Sequence, residues 1–451
     1  DGRVTAFRLM RQAAEAGLAE AQVALSDIHA TGHSAPIGVD DVQSLLWLRK
    51  AAAQDHAGAL SRLALRYEQG RGVPRDPAEH LRLRQRAAAL GHPHSQFLLG
   101  TCFRDGYQLA RGTTQARQWL EKAGAAHHPG ALIALAAIYD DGIGTPKNRD
   151  LAIKWLRAAA GLGAAEAQYI LAYRLQRGLG VAKDAAEAEK WLGQAEAQDD
   201  AAARTAFGKY LLGGIDDTPR NAEEALKWLH RAAGQDDPEA KLWLGIACGL
   251  GKGTPPDPVA SHKWLLAAAE RGLPRAQFYL AEAYEAGLGV AADLAQARRW
   301  MLRAAEQNDP EAQFALAAML EDDGSLEADA WYLKAAALNH TPAVGKVGNQ
   351  YLFGKLGATD PVRGIEYLRR AAVAGSLRAC FDLGCAYIDG VGVAPDPLEG
   401  LAWLLLATAK KDKDYVEFYD SQEILHPTIQ ISAIQARSRQ IKMQLETEAR
   451  Q

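Results

Sequence analysis

The side chains of this sequence that could do chemistry are histidines, paired carboxylates and cysteines. His92 and His94 flank Pro93, and His127 is followed by His128. Typical zinc motifs are His-Glu-x-x-His on a helix and paired cysteines with a two-residue gap, and the sequence contains neither motif. We therefore interpret these histidines as turn residues, with adventitious metal binding as the alternative.

The acidic pairs and the cysteines give no better catalytic signal. Asp140-Asp141 and Asp322-Asp323 fall at predicted helix ends, where neighbouring carboxylates are normally solvated and no acid–base partner is apparent. The cysteines are too few for a disulfide scaffold, so we interpret them as small apolar packing residues. They are Cys102, Cys248, Cys380 and Cys385.

Glycine-rich tripeptides recur but do not form a phosphate-binding loop. Gly-x-Gly begins at residues 70, 142, 178, 287 and 390, and none continues to Gly-x-Gly-x-x-Gly after a strand. The stretch GLGKGT at 249 lacks the adjacent Gly-Lys-Thr of a phosphate loop. The sequence thus predicts helix-to-helix turns here, and neither a catalytic residue, nor a cofactor, nor a bound metal.

Composition describes a folded protein without a strong electrostatic preference. The chain has 451 residues, 48% of them hydrophobic and 24% charged, with a net charge of −4. Basic residues form no stripe, which makes nucleic-acid binding a poor prediction. Because no run of eighteen apolar residues occurs, we expect no membrane span.

One phrase recurs along the chain and determines the predicted fold. KWLRAAAGLGAAEAQ begins at residue 154, and near-copies begin at 190, 227, 263 and 299. We count positions from the small residue that opens the first helix of each repeat. The spacing of these residues is mostly 36, but it is 38 after the first and 31 after the ninth, which makes eleven repeats. They are Ala21, Ala59, Ser95, Ala131, Ala167, Ala203, Ala240, Ala276, Ala312, Ala343 and Ala379.

The pattern of each repeat predicts two helices. Apolar residues at 0, +2, +4, +5 and +8 predict a first helix, which begins at position 0 and ends at a glycine at +11 that can take the left-handed conformation. An Asp or Asn near +17 predicts the N-cap of the second helix, and a proline follows this residue in four repeats. A tryptophan near +24 lies on the apolar face of that helix with alanines. We expect it to fill the wedge between helices, with sugar stacking as the alternative.

These motifs resemble the SEL-one-like repeat, a relative of the tetratricopeptide repeat. The best matches are AEAQYILAYRLQRGLGVAKDAAEAEKWL and RAQFYLAEAYEAGLGVAADLAQARRWM, and the resemblance covers about nine-tenths of the chain. It implies an all-α, right-handed superhelical α-α solenoid of about eleven two-helix repeats. The loops of the third and sixth repeats depart from the Gly-x-Gly-Val pattern.

The two ends of the chain break the repeat. Residues 1–20 match the second helix of an incomplete N-terminal repeat, which suggests that more chain precedes Asp1. Residues 21–410 hold the repeats, and residues 411–451 are predicted to be a C-terminal capping helical segment, with docking of this segment onto a partner as the alternative.

In solenoids of this kind the first helices line the concave surface, and we expect specificity at the variable positions +3, +6 and +10, which share one face. Large apolar side chains at these positions in repeats five to eight suggest a groove for a peptide or helix of a partner. The alternative is that they fill a tightly wound superhelix. The candidate partner-binding residues are Ile170, Tyr173, Trp243, Ile246, Leu250 and Tyr279, with Lys209 and Glu282 as polar markers.

The leading hypothesis is a non-enzymatic scaffold or adaptor that holds another protein. The resemblance implies bacterial relatives that serve the cell envelope, among them exopolysaccharide-secretion lipoproteins, and eukaryotic relatives that act as adaptors. We therefore expect a periplasmic or outer-membrane-associated protein, with a cytoplasmic one as the alternative. The second hypothesis is a glycan-binding or exopolysaccharide-secretion accessory protein, in which the same aromatic residues would stack on sugar rings.

Overall fold

The computed structural model describes residues 2–31, 39–106, 109, 111–213, 221–354, 359–410 and 412–448. Within these ranges the regular secondary structure is helical and contains no β-strand. The chain divides into two compact units. Unit 1 consists of Asp1–Gln108 and Thr113–Ala188, and unit 2 of Leu109–Gly112 and Glu189–Gln451.

Antiparallel helix pairs follow one another in both units. Unit 1 contains α1 (Gly2–Glu15), α2 (Ala19–Thr31), α3 (Asp41–Ala53), α4 (Ala57–Gln69), α5 (Pro77–Ala89), α6 (Pro93–Asp105), α7 (Thr113–Ala125), α8 (Pro129–Asp141), α9 (Arg149–Gly161) and α10 (Ala165–Arg177). Helix α11 (Ala185–Ala197) begins in unit 1 and ends in unit 2. Unit 2 continues with α12 (Ala201–Gly213), α13 (Ala222–Gly234), α14 (Pro238–Leu250), α15 (Pro258–Glu270), α16 (Pro274–Ala286), α17 (Leu294–Glu306), α18 (Pro310–Asp322), α19 (Ala328–Ala337), α20 (Thr341–Leu352), α21 (Pro361–Val373), α22 (Leu377–Asp389), α23 (Pro397–Ala407), a 3₁₀ turn (Thr408–Lys410), α24 (Lys413–Leu425) and α25 (Ile431–Glu448).

The first helix of each repeat begins two residues earlier than the sequence predicted. In most repeats this start goes with an N-cap at position −3, whose side chain accepts a hydrogen bond from the backbone N–H of the small residue at position 0. Helices α10 and α16 begin at the same position without a side-chain cap, after Ala164 and Leu273. Of the turn histidines, His92 and His128 therefore have a definite role as helix caps. Residues that cap in this way are His56, His92, His128, Asp200, Asp237, Asp309, His340 and Ser376.

The predicted starts of seven second helices and the predicted ends of seven first helices are confirmed. The side chains of Asp76, Asn148, Asp184, Asp257, Asp293, Asp360 and Asp396 each accept a hydrogen bond from the N–H three residues on. Left-handed glycines end seven first helices, and these are Gly70, Gly106, Gly142, Gly178, Gly251, Gly287 and Gly390. Gly354 is also left-handed, although it lies one residue beyond the cap of α20. The predicted helix-ending glycines at 32 and 214 lie outside the described residues.

A close contact inside several repeats joins a glycine at position +5 to the leucine that follows the repeated aromatic residue. In α20, a Cβ atom on Gly348 would lie 2.9 Å from Cγ of Leu368, a side chain with no exposed surface. Gly245 and Leu265 repeat this contact in α14 and α15. The leucine thus fills the space between the two helices of a repeat, where the neighbouring backbone approaches closely.

The expectation that the tryptophan fills this wedge is wrong for most repeats. Trp47, Trp300 and Trp403 are buried, but the others are only half-buried, and these are Trp119, Trp155, Trp191, Trp228, Trp264 and Trp331. In five repeats the cation of a Lys or Arg three residues later lies 3.5 to 4.8 Å from the tryptophan ring centroid. A cation over an indole ring is a favourable contact, so in these five repeats one face of the ring carries a charge.

Helix α25 packs on α23 and covers its apolar face. Ile434, with no exposed surface, packs with Leu401 and Leu404 of α23, and Ile441 extends the same contact. Arg437 donates to the Glu399 carboxylate, which also accepts from the indole Nε1 of Trp403 at 3.1 Å. Apolar surface that the last repeat helix would otherwise expose is therefore buried by the chain itself.

Candidate functional site

The first helices of unit 2 form one continuous surface, which we call the first-helix face. It consists of positions −1, +2, +3, +6 and +10 of α12, α14, α16, α18, α20 and α22. Polar contacts join neighbouring helices along it. Lys209 of α12 lies 3.0 Å from the carboxylate of Glu239 in α14, and Asn349 of α20 donates to Asp382 of α22 at 2.7 Å.

Trp243 lies on this face and is held by charged neighbours. Its indole Nε1 donates to Glu239 Oε1 at 3.1 Å, and the Lys209 ammonium lies 5.3 Å from the ring centroid. Because Glu239 also binds Lys209, the three side chains fix one another. The half-buried ring is therefore presented in a defined orientation.

Tyr279 occupies the equivalent position in the next repeat and has a similar environment. The guanidinium of Arg275 lies 5.3 Å from its ring centroid, and Phe278 meets it edge-to-face with the centroids 5.5 Å apart. Glu282 is exposed on the same helix face. A second aromatic side chain on this surface is thus oriented by a cation.

Two further predicted residues complete an apolar stripe on α14. Ile246 is half-buried against the core of the neighbouring repeats, and Leu250 is 64% exposed. With Trp243 they are spaced by three and four residues, which places all three on one side of the helix. The structure therefore brings Lys209, Trp243, Ile246, Leu250, Tyr279 and Glu282 onto one face of unit 2.

Ile170 and Tyr173 do not offer comparable surface. Both belong to α10 of unit 1, and each side chain is only 5% exposed. Almost the whole of α10 is buried, and the guanidinium of Arg177 lies 5.0 Å from the Tyr173 ring centroid. For these two residues the alternative interpretation, interior packing, describes their position in the structure.

A pocket that the sequence analysis missed lies further along the first-helix face. It has a volume of about 680 Å³. Its walls come from Phe314 of α18, from α20 and its C-terminal end at Phe353, and from the turn at Gly375 that leads into α22. Phe353 is 68% exposed, an unusual environment for a large apolar ring.

The signal for this pocket is at position +2 of the repeat. Reading this position through α16, α18, α20 and α22 gives Phe278, Phe314, Gly345 and Phe381. The missing ring at Gly345 opens the pocket. Positions +3, +6 and +10, on which the predicted groove was based, do not include this series.

The histidines, cysteines and carboxylates of the described residues form no group of three or more that could hold a metal ion. Burial lowers the pKa values of His92, His94 and His128, and the nearest ring nitrogens of His94 and His128 are 3.2 Å apart. All four cysteines are free, and burial raises the pKa of Cys380 to about 12, so its thiol stays protonated at neutral pH.

In the described part of the chain, no helix is both long and apolar enough to span a bilayer.

Helix pairs repeated every 36 or so residues, each in contact with the next, define an all-α repeat solenoid of the tetratricopeptide-like class. The Sel1 repeat matches twelve segments, and the chain belongs to this family. The segments are 3–18, 19–56, 57–92, 93–128, 129–163, 165–200, 199–237, 238–273, 274–309, 310–340, 343–376 and 377–412. The predicted fold class is confirmed, with one more matched segment than the predicted eleven repeats because residues 3–18 also match.

Several solved structures are similar to the chain. A protective antigen of uropathogenic Escherichia coli strains with an SLR fold is 28% identical, with a TM-score of 0.53, and the alignment covers 98% of this chain and 96% of that one. A Sel1 repeat protein from Oxalobacter formigenes is 25% identical over 75% of this chain and 89% of its own, with a TM-score of 0.37. Yeast Tom70 is 13% identical over 94% and 99%, with a TM-score of 0.38. No curated protein sequence matches the chain. Repeats of this class generally mediate protein–protein interaction and are generally non-catalytic.

Proposed function

We propose that this protein is a non-enzymatic scaffold or adaptor that binds a segment of a partner protein on the first-helix face of unit 2. The observation that carries the proposal is the apolar stripe Trp243–Ile246–Leu250 beside Tyr279. Both aromatic rings on this surface are oriented by cations, Lys209 and Arg275.

The fixed orientation of the Trp243 and Tyr279 rings favours binding of a partner. A ring that is fixed before the partner arrives loses little conformational entropy on association, so more of the contact energy appears as affinity. Tryptophan and tyrosine are also the side chains that most often dominate interface energetics. The exposed Leu250 gains most from being covered, since 64% of its side-chain surface is in water.

Binding of a glycan on the same surface is the second candidate. Its support is the pair of half-buried aromatic rings, which could stack on sugars. The contacts favour a protein partner, because a cation already lies over each ring and Leu250 adds aliphatic surface that sugars use poorly.

For location we propose the periplasm or the outer-membrane surface of a bacterium, with the cytoplasm as the alternative. The likeness to the Escherichia coli antigen supports this proposal.

The test is affinity capture from envelope and soluble fractions of a native lysate, with wild type beside the double variant Trp243→Ala/Tyr279→Ala. The matched control is Trp264→Ala, which removes a half-buried tryptophan from α15, a second helix of the repeat. Circular dichroism establishes that all three proteins are folded. We expect the control to retain the partner and the double variant to lose it.

Equal capture by the double variant would contradict the proposed surface and direct attention to the second helices or to α24 and α25. For the glycan alternative, oligosaccharides are added to wild type and to Trp243→Phe while tryptophan fluorescence is recorded. A saturable change that is present only in wild type would favour the glycan over the protein partner.

A further inference from the structure

Consecutive first helices meet through a recurring pair of positions, which we call the junction pair. The side chain at +2 of one helix contacts the N-cap residue of the next first helix. Phe97 stacks on His128 with ring centroids 4.6 Å apart, and Phe314 meets His340 at 5.0 Å. At another junction the Thr205 hydroxyl donates to Asp237 at 3.1 Å.

At the junction of α20 and α22 both members of the pair are small. Position +2 is Gly345, and the N-cap of α22 is Ser376. The two preceding junctions of the same unit carry Phe278 with Asp309 and Phe314 with His340. The pocket of about 680 Å³ lies where a ring would otherwise join the two helices.

The space beside Gly345 is open. A Cβ atom built on this glycine would meet only the Cβ of Ala371, at 3.9 Å, which is an ordinary van der Waals distance. The walls of the pocket include Phe314, Pro342 and Phe353. The pocket therefore has apolar walls and enough volume for an aromatic side chain from another molecule.

The ionisable side chains that line this pocket are both basic. The ionisable residues that line it are Lys346 and Arg378. Their ion-pair partners, Glu321 at 2.8 Å and Asp382 at 3.1 Å, are outside the lining, and the Arg378 side chain is 67% exposed. An anionic group arriving at the pocket would thus meet two lining cations, each already paired with a carboxylate outside the lining, and the exposed Arg378 can turn to it most easily.

We propose that this pocket receives an aromatic side chain from an acidic segment of a partner protein, with the ring in the space beside Gly345 and an adjacent carboxylate at Lys346 or Arg378. This proposal rests on the proposed function and names the chemistry of the partner. The occupant is a peptide segment because an apolar side chain and a carboxylate must be presented together.

The test is fluorescence anisotropy with a labelled acidic peptide of about nine residues that contains one central phenylalanine, a length that reaches beyond one repeat junction. Two matched peptides replace the phenylalanine by alanine or the acidic residues by lysine. We expect saturable binding of the first peptide and at least about tenfold weaker binding of both others.

Two protein variants fill the pocket in different ways. Gly345→Phe restores the ring that Phe314 supplies one repeat earlier, and Ser376→His restores the N-cap that His340 supplies. Each should weaken the acidic peptide at least about tenfold, whereas Gly345→Ala should retain it within about threefold. Thermal melts followed by circular dichroism identify any variant that does not fold, and the second variant then carries the test.

Absence of binding to wild type, equal binding of the lysine peptide, or unchanged binding by the folded filled variants would each overturn the pocket proposal. The scaffold proposal is tested separately, because capture through Trp243 and Tyr279 does not depend on Gly345. A partner lost from Trp243→Ala/Tyr279→Ala but retained by Gly345→Phe would leave the scaffold standing without this pocket.

Discussion

The region of α14–α16 and the region of α18–α22 use the same repeat in opposite ways. In the first, large side chains at +3 project from the face and are covered by cations from within the protein, as Lys209 covers Trp243. In the second, position +3 of α20 is Lys346 and position +2 is Gly345, and a pocket takes the place of a ring. The first region presents projecting aromatic side chains and the second presents a pocket.

The close contact between the two helices of a repeat, which we call the helix frame, is the same in both regions. A Cβ on Gly245 would lie 2.8 Å from Leu265 Cγ, and one on Gly348 would lie 2.9 Å from Leu368 Cγ. The small and apolar residues that set the backbone are thus separate from those that set the surface. In a repeat protein, this separation allows one scaffold to carry a different binding chemistry in each repeat.

The largest expected effect tests that common frame. Leu368→Ala and Leu265→Ala each remove a buried side chain from the contact between the helices of a repeat, so each should lower the free energy of unfolding by about 2–5 kcal/mol. Urea denaturation followed by circular dichroism measures the loss. Leu250→Ala is the control and should change it by less than about 0.5 kcal/mol, since that side chain is 64% exposed. A large loss at one leucine and none at the other would show that the two regions do not share a frame.

The next prediction contrasts two glycines on the same helix. Gly348→Ala places a methyl group against Leu368 and the carbonyl oxygen of Gly364, which would be 3.1 Å away, and this overpacking should cost about 1–3 kcal/mol. Gly345→Ala meets open space and should stabilise the helix by up to about 1 kcal/mol through its greater helix propensity. Both are measured as changes in urea denaturation. Equal effects of the two substitutions would contradict the pocket beside Gly345.

A smaller effect is expected for the cation over Trp243. A double-mutant cycle with Lys209→Met and Trp243→Leu should give a coupling free energy of about 0.5–1 kcal/mol in unfolding experiments. Because Lys209 also pairs with Glu239, the cycle is repeated in the Glu239→Gln background to separate the ring contact from the ion pair. Zero coupling in both backgrounds would mean that the ring is not oriented by the lysine.

Much of this comparison could be predicted from the sequence. Recurring small residues, glycines and acidic caps predicted the helix pairs because each of these signals acts within a few residues of the chain. The start of the first helix was wrong by two residues because the cap at −3 is often a histidine, as at His56, and histidine is not among the usual capping residues. The Asp237 and Ser376 caps at the same position were available signals.

Burial was harder to predict than helix position. The tryptophan and the leucine after it are both apolar, and only the approach of the neighbouring helix decides which one is enclosed, as Leu368 is beside Gly348. For the same reason sequence could not distinguish Tyr173, which is buried, from Tyr279, which is half-buried. The pocket, in contrast, could have been found from the series of residues at position +2.

The smallest expected effect is a difference between the carboxyls of Glu311 and Asp382 in how each changes the stability of the protein with pH. The hydrogen bond from His340 holds the pKa of Glu311 below its ordinary value of 4.5, whereas burial raises the pKa of Asp382 above 3.8 despite the opposing contacts with Asn349 and Arg378. The stabilisation from Glu311 is present above pH 4.5 and is lost as the pH falls through its lowered pKa. The contribution of Asp382 has the opposite sign, because the folded state binds its proton more tightly, so stability is lost as the pH rises through the raised pKa. The melting temperature is therefore measured for each variant across a pH series from neutral to the most acidic pH at which the protein still folds. Relative to wild type, Glu311→Gln should reduce the gain in melting temperature from the lower to the higher pH, and Asp382→Asn should increase it. A change in the same direction for both variants would contradict the opposite pKa shifts of Glu311 and Asp382.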